Sequence, residues 1–174
     1  MKAHVKFIVI SGLVLGGALG MSGTFVADDH LRSLLWAIDG TGLIVATSLL
    51  AVHFLRAGEE CAAAGFLVYA IGEAVILGGT AGSLEASVPS FAAGTALWAA
   101  ALLMTSIPKL FAIWTRLAAL AAAVLFGIVS LRIFAGGEIT PLTKPLPYFA
   151  YPFLVLTFVG WIWNVVKDKT TSSS

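Results

Sequence analysis

The sequence predicts an all-α integral membrane protein, a single bundle of six transmembrane helices joined by short loops. Three observations carry that reading. Only 11% of the 174 residues are charged and 59% are hydrophobic, giving a mean hydropathy of +0.99, whereas soluble domains carry about 25% charged residues. The apolar residues fall in runs of about twenty, long enough to cross a hydrocarbon core of about 30 Å. With helices of that length little chain remains for loops, which excludes a separate soluble domain. A net charge of +1 and the lack of any basic run argue against a nucleic-acid partner.

The first span is expected over 7–27, without a charge. Lys2, His4 and Lys6 precede an apolar stretch, and Ala18 and Gly20 offer small residues for a cleavage site, the pattern of a secretory signal. The apolar run nevertheless continues through Met21 and Phe25 to Ala27, so the segment is expected to remain as a membrane helix. The second span is expected over 31–55 and the third over 61–82. Ser87 offers an N-cap and Pro89 suits a first helical turn, which starts the fourth span. It runs over 89–107, because Pro108 disfavours helix at the residue before it. The fifth span, 111–135, ends at Gly136–Gly137, and the sixth covers 146–166. Pro152 lacks a backbone N–H and is tolerated only in a first turn, so regular helix is expected to begin near it.

Lysine and arginine set the expected orientation. Six spans leave both termini on one side, with Lys2, Lys6, Arg56, Lys109, Arg116, Lys167 and Lys169; the opposite side holds Arg32, Arg132 and Lys144. The excess places both termini in the cytoplasm of a cell bounded by a bacterial-type inner (plasma) membrane. Tyr148 and Tyr151 at the outer end of the last span, and Trp161 and Trp163 towards its inner end, are expected to form interfacial aromatic belts. The longest connection, GGEITPLTKPLP, is stiffened by Pro141, Pro145 and Pro147. It reads as a rigid cap over the outer face, with a lid on an outward vestibule as the alternative.

The candidate site is a pair of carboxylates where lipid is expected. Asp39 lies eight residues below Leu31, about 12 Å down the second span, and Glu73 nine below Gly82, about 14 Å down the third. A short polar turn, AGEE, joins these spans and makes them antiparallel neighbours. Carboxylates at such depth are costly and by default mark function. Two sharing a dry site cannot both ionise, so the pair is suited to holding a proton or a cation. Gly40 and Gly42 flank Asp39; Gly72, Gly78 and Gly79 flank Glu73. Such glycines either let a helix unwind around a solute or simply allow close packing. His53 lies two heptads beyond Asp39 on one face, Tyr69 shares a face with Glu73, and Thr80 lies seven residues beyond it. These three are candidate steps of a proton path, although His53 sits near the end of its span, where an interfacial histidine is ordinary. Arg116 and Arg132, near opposite ends of the fifth span, are expected to snorkel. Alternatively Arg132 or Arg32 pairs with a carboxylate and turns the site into a structural ion pair.

Several chemistries find no support. There is no HExxH, no phosphate-binding glycine loop with its lysine and no G-x-S-x-G elbow. His30 and His53 fall at opposite ends of one span, which disfavours a bis-histidine haem. Asp28, Asp29 and His30 read as a solvated turn rather than a metal site. No cofactor and no metal are therefore expected. Cys61, the single cysteine, is expected to behave as a small apolar residue at the inner end of its span. The partners expected are the lipid bilayer and either a second copy of the chain or a larger membrane complex. Three functions fit: a channel or transporter working through Asp39 and Glu73, an accessory, anchor or assembly subunit, and a membrane-embedded enzyme acting on a hydrophobic substrate. Enzymatic activity is the least favoured.

Overall fold

The computed structural model describes residues 1–79 and 83–167 and is entirely helical over them. Its six helices are α1 (Ala3–Gly23), α2 (Asp29–Arg56), α3 (Glu60–Gly79), α4 (Val88–Ser106), α5 (Ile113–Phe134) and α6 (Tyr151–Lys167), the last preceded by a 3-10 turn, Tyr148–Ala150. All six are long and apolar enough to cross a membrane, the sixth when its 3-10 turn is included. Gly82, Thr80 and Lys169 lie outside the described residues.

Local chemistry explains most boundaries. Asp28 caps α2 by accepting a hydrogen bond from the Leu31 N–H at 2.6 Å. Asp29 forms an ion pair with Arg32. The Asp28–Asp29–His30 cluster is thus a helix start. Gly58, at φ +78°, makes the tight reversal between α2 and α3 that brings them side by side. At the C-terminus of α4, Arg116 donates to the carbonyls of Ser106 (2.7 Å) and Ile107 (3.1 Å), which helps end that helix before Pro108. Regular helix in the sixth span starts at Tyr151, with Pro152 in its first turn, where its missing N–H is harmless.

Two local expectations are corrected. Helix α1 begins and ends about four residues earlier than the apolar run suggested and includes His4 and Lys6, since nothing in that stretch breaks a helix and long cationic side chains tolerate helix ends. Ser87 precedes α4 but does not cap it; its hydroxyl donates back to the Leu84 carbonyl at 2.7 Å. Cys61 lies exposed on the first turn of α3, its thiol donating to the Met104 carbonyl at 3.5 Å.

The helices form a closed ring in chain order. Each packs on its sequence neighbours, and α1 closes the circle against α6. Helices α1 and α2 approach closely where a side chain on Gly12 would meet the Gly42 carbonyl at 2.4 Å and the Ala46 Cβ at 2.8 Å. Small residues commonly let helices touch in this way. Gly12→Val is therefore expected to force α1 off α2 and lower unfolding stability in detergent by about 1–3 kcal/mol. Gly17→Ala, on the same helix with 3.7 Å of clearance to Phe158 and Val155, is expected to leave stability unchanged or slightly raised. Equal effects of the two substitutions would show that this contact does not set the seam.

A ring of six helices would enclose a pore, but side chains fill half of it. Phe54, Phe66, Phe111 and Trp161 meet in the half nearer the termini, with Phe66 and Trp161 ring centroids 4.7 Å apart and Phe54 stacked on Phe66 at 5.4 Å. Here the expected inner belt divides. Trp161 is 1% exposed and buried in this layer, while Trp163 faces outward under the Lys167 ammonium. Residues two apart on a helix point nearly opposite ways, so both cannot face one interface. The proline-rich connection folds over the other end: Ile139 packs with Phe91 and Val129, and Pro141 accepts a hydrogen bond from the Tyr151 hydroxyl at 3.1 Å.

Candidate functional site

Where the aromatic filling stops, a cavity of about 400 Å³ begins among the described residues. It runs from exposed Asp29, Ser83 and Glu85, at the end of the bundle away from the termini, down to Asp39 and Glu73. Leu43, Tyr69, Trp98 and Phe158 form its floor. Four helices supply the polar and aromatic groups around the pair: α2 brings Asp39, α3 brings Tyr69 and Glu73, α4 brings Trp98 and α6 brings Tyr151 and Phe158. Helix α1 supplies a smooth wall. Gly20 backs Asp39 so closely that a Cβ there would stand 2.7 Å from Oδ2.

The two carboxylates share this space. Glu73 packs against the α2 backbone at Gly40, where a Cβ would lie 3.2 Å from Oε1. Asp39 and Glu73 are within electrostatic reach of each other, and Tyr69 and Tyr151 are within reach of both. Trp98 stands beside Glu73. Asp39 is 9% exposed, Glu73 4%, Trp98 6% and Tyr69 0%.

Hydrogen bonding separates this site from the rest of the interior. Most buried hydroxyls elsewhere bond within their own helix: Thr47 donates to Leu43, Thr95 to Phe91 and Thr157 to Phe153, each a carbonyl four residues back, while Thr115 Oγ1 has no partner. Among the described residues, seven buried side-chain nitrogen or oxygen atoms have no protein partner. Five belong to residues lining the cavity: Asp39 Oδ1, Glu73 Oε2, Tyr69 OH, Trp98 Nε1 and Arg32 Nε. Leaving one such group unsatisfied costs about 1–3 kcal/mol. Their gathering around one cavity is the arrangement of a site that takes its remaining partners from what enters it.

The arginines do not convert the pair into a structural ion pair. Arg32 lines the mouth, but its guanidinium is engaged with Asp29 and with the Val26 carbonyl at 2.6 Å. Arg132 is exposed on the outer side of α5 and does not line the cavity. Of the other expected site residues, Tyr69 lies on the floor beside Glu73. His53 is half-buried near the far end of α2, against Phe54, and outside the cavity. Thr80 is not among the described residues. Pattern reading missed Trp98 and misassigned Tyr151 to an aromatic belt. A signal for Trp98 existed: Thr95 and Thr105 are polar on a strongly apolar helix and mark its inward face, on which Trp98 falls.

Protein-family models, curated proteins and solved structures were compared with this chain, and none matches it.

Proposed function

We propose that this chain is a small membrane transporter in which Asp39 and Glu73 bind and release a proton or a cation. In this reading the six helices span the bilayer as one bundle and the pair lies near its midplane. The observation that carries it is that both carboxylates are buried, free of arginine partners and face one cavity reaching a single end of the ring. An ion or proton can reach such a pair from that end only, because Phe66 and Trp161 close the other half. One-sided access to a deep ionisable site is what alternating access requires. A permanently open channel would lack the aromatic closure. The loss of flux in Asp39→Asn and Glu73→Gln, with folding retained, is the test. Wild-type flux in both variants would remove the site and put an accessory role in a larger membrane complex in front.

The reading also fixes which face the cavity meets. The lysine and arginine excess on the terminal side places the termini in the cytoplasm and the mouth outside. In a Cys61→Ala background, cysteine introduced at exposed Lys144 or Glu85 is expected to react with an impermeant maleimide added to intact cells. Labelling only after the membrane is permeabilised would reverse the orientation.

A further inference from the structure

We infer that the cavity is built for an organic ammonium ion carrying an apolar, aromatic-sized body, not for a bare metal cation. This deepens the transporter reading and rests on the Asp39–Glu73 pair being its working site. The first ground is the chemistry of the orphaned atoms. Asp39 Oδ1 and Glu73 Oε2 are acceptors left short of donors, with the Trp98 indole N–H standing beside Glu73, and Tyr69 OH can accept as well. An ammonium group is three donors on one centre and a positive charge between two carboxylates. A single guest group therefore satisfies the acceptors and neutralises the charge that makes the pair costly.

The second ground is what surrounds those atoms. Hard metal cations take about six to eight oxygen ligands. Among the described residues no group of three or more His, Cys, Asp or Glu is placed to hold a metal ion. Instead Tyr69, Trp98, Tyr151 and Phe158 line the cavity beside the carboxylates. Tyr69 lies parallel to Trp98 at 5.7 Å and edge-on to Phe158 at 5.9 Å, a packed and ordered cluster. Aromatic walls both accept apolar bodies and attract cations. The third ground is size and charge. The cavity, about 400 Å³, falls in the range of small-molecule sites of about 300–1,000 Å³. At its mouth Glu85 and Asp29 stand with one cation, Arg32, a local balance that favours entry of positive charge.

Three soluble compounds of nearly one shape separate the possibilities: phenethylammonium, neutral 2-phenylethanol and anionic phenylacetate. They are titrated calorimetrically into the full chain in lipid nanodiscs, with empty nanodiscs subtracted. Phenethylammonium is expected to bind saturably and at least about tenfold more tightly than 2-phenylethanol, the margin of a desolvated cation site, and phenylacetate not to bind. Glu73→Gln is expected to abolish the preference for ammonium over alcohol. Equal affinity for ammonium and alcohol, tighter binding of phenylacetate, no binding of phenethylammonium, or an unchanged preference in a folded Glu73→Gln protein would each overturn the inference. If that variant does not fold, the wild-type comparison still decides. Ammonium-selective binding without flux would sustain this inference and remove the transporter reading. Proton or sodium flux through Asp39 and Glu73 without ammonium binding would do the reverse.

Discussion

Glu73→Gln and Asp39→Asn are each expected to reduce proton or cation flux in reconstituted vesicles by about tenfold or more, equivalent to about 1.4 kcal/mol or more in the barrier. Each substitution keeps the shape of the side chain and removes its ability to hold an exchangeable charge. Because the carboxylates share one cavity and one electrostatic environment, the double variant should lose less than the sum of the two single losses. Stability separates this from the ion-pair alternative. Breaking a buried ion pair by removing one partner costs about 3–5 kcal/mol. Here Arg32 is held by Asp29 and the Val26 carbonyl, and Arg132 is exposed, so no arginine is stranded. Unfolding stability in detergent should then change by no more than about 1–2 kcal/mol, the ordinary range for a point substitution. A drop of the larger size, with flux falling only in proportion to folded protein, would assign the pair a structural role.

Trp161→Ala is expected to have the largest effect on stability and to open a leak. The indole is packed against Phe66, Tyr69 and Phe158, with centroids 4.7, 5.8 and 5.6 Å away. It links α6 to α3 across the middle of the ring. Truncating a buried tryptophan or phenylalanine to alanine costs about 3–5 kcal/mol in soluble cores. In a bilayer the same packing is lost although the hydrophobic term is smaller. The void would lie directly beneath the cavity floor formed by Tyr69 and Phe158. Passive dye-detected proton leak through vesicles should therefore rise in the alanine variant. Trp161→Phe keeps an aromatic ring in place and gives up an indole N–H that has no protein partner. It should retain most of the stability and show no leak. A folded alanine variant as tight as the wild type would mean that the layer of Phe54 and Phe111 seals the ring alone.

The six helices were legible in the sequence because each is a long, predominantly apolar run and most are bounded by breakers or caps. Pro108 follows the end of α4, Gly136–Gly137 follow α5, and Pro152 sits in the first turn of α6. The matched positions of Asp39 and Glu73 along α2 and α3 were legible too, since rise along a helix is fixed at about 1.5 Å per residue. The turn at Gly58 made α2 and α3 neighbours, and that was enough to place the two carboxylates within reach of each other. Boundaries were less exact. The shift of α1 towards Ala3 reflects a helix that runs on past the apolar run through tolerant residues.

What sequence pattern does not carry in such a chain is which way each helix faces. Lipid is as apolar as the bundle interior, so lipid-facing and core-facing positions look alike and periodicity fades. That is why Trp161 and Trp163 could not be told apart, and why Trp98 and Tyr151 were not connected to the carboxylates. Closure of α6 onto α1, the aromatic filling of half the ring and the cavity left in the other half come from contacts between residues far apart in sequence, such as Gly17 and Phe158. The order of residues determined six apolar helices and put two carboxylates, Asp39 and Glu73, inside two of them. Only the tertiary structure decided that those charges share a cavity with Tyr69, Trp98 and Tyr151 and that no arginine pairs with them, because helix rotation and ring closure are fixed by side-chain packing, not by hydropathy.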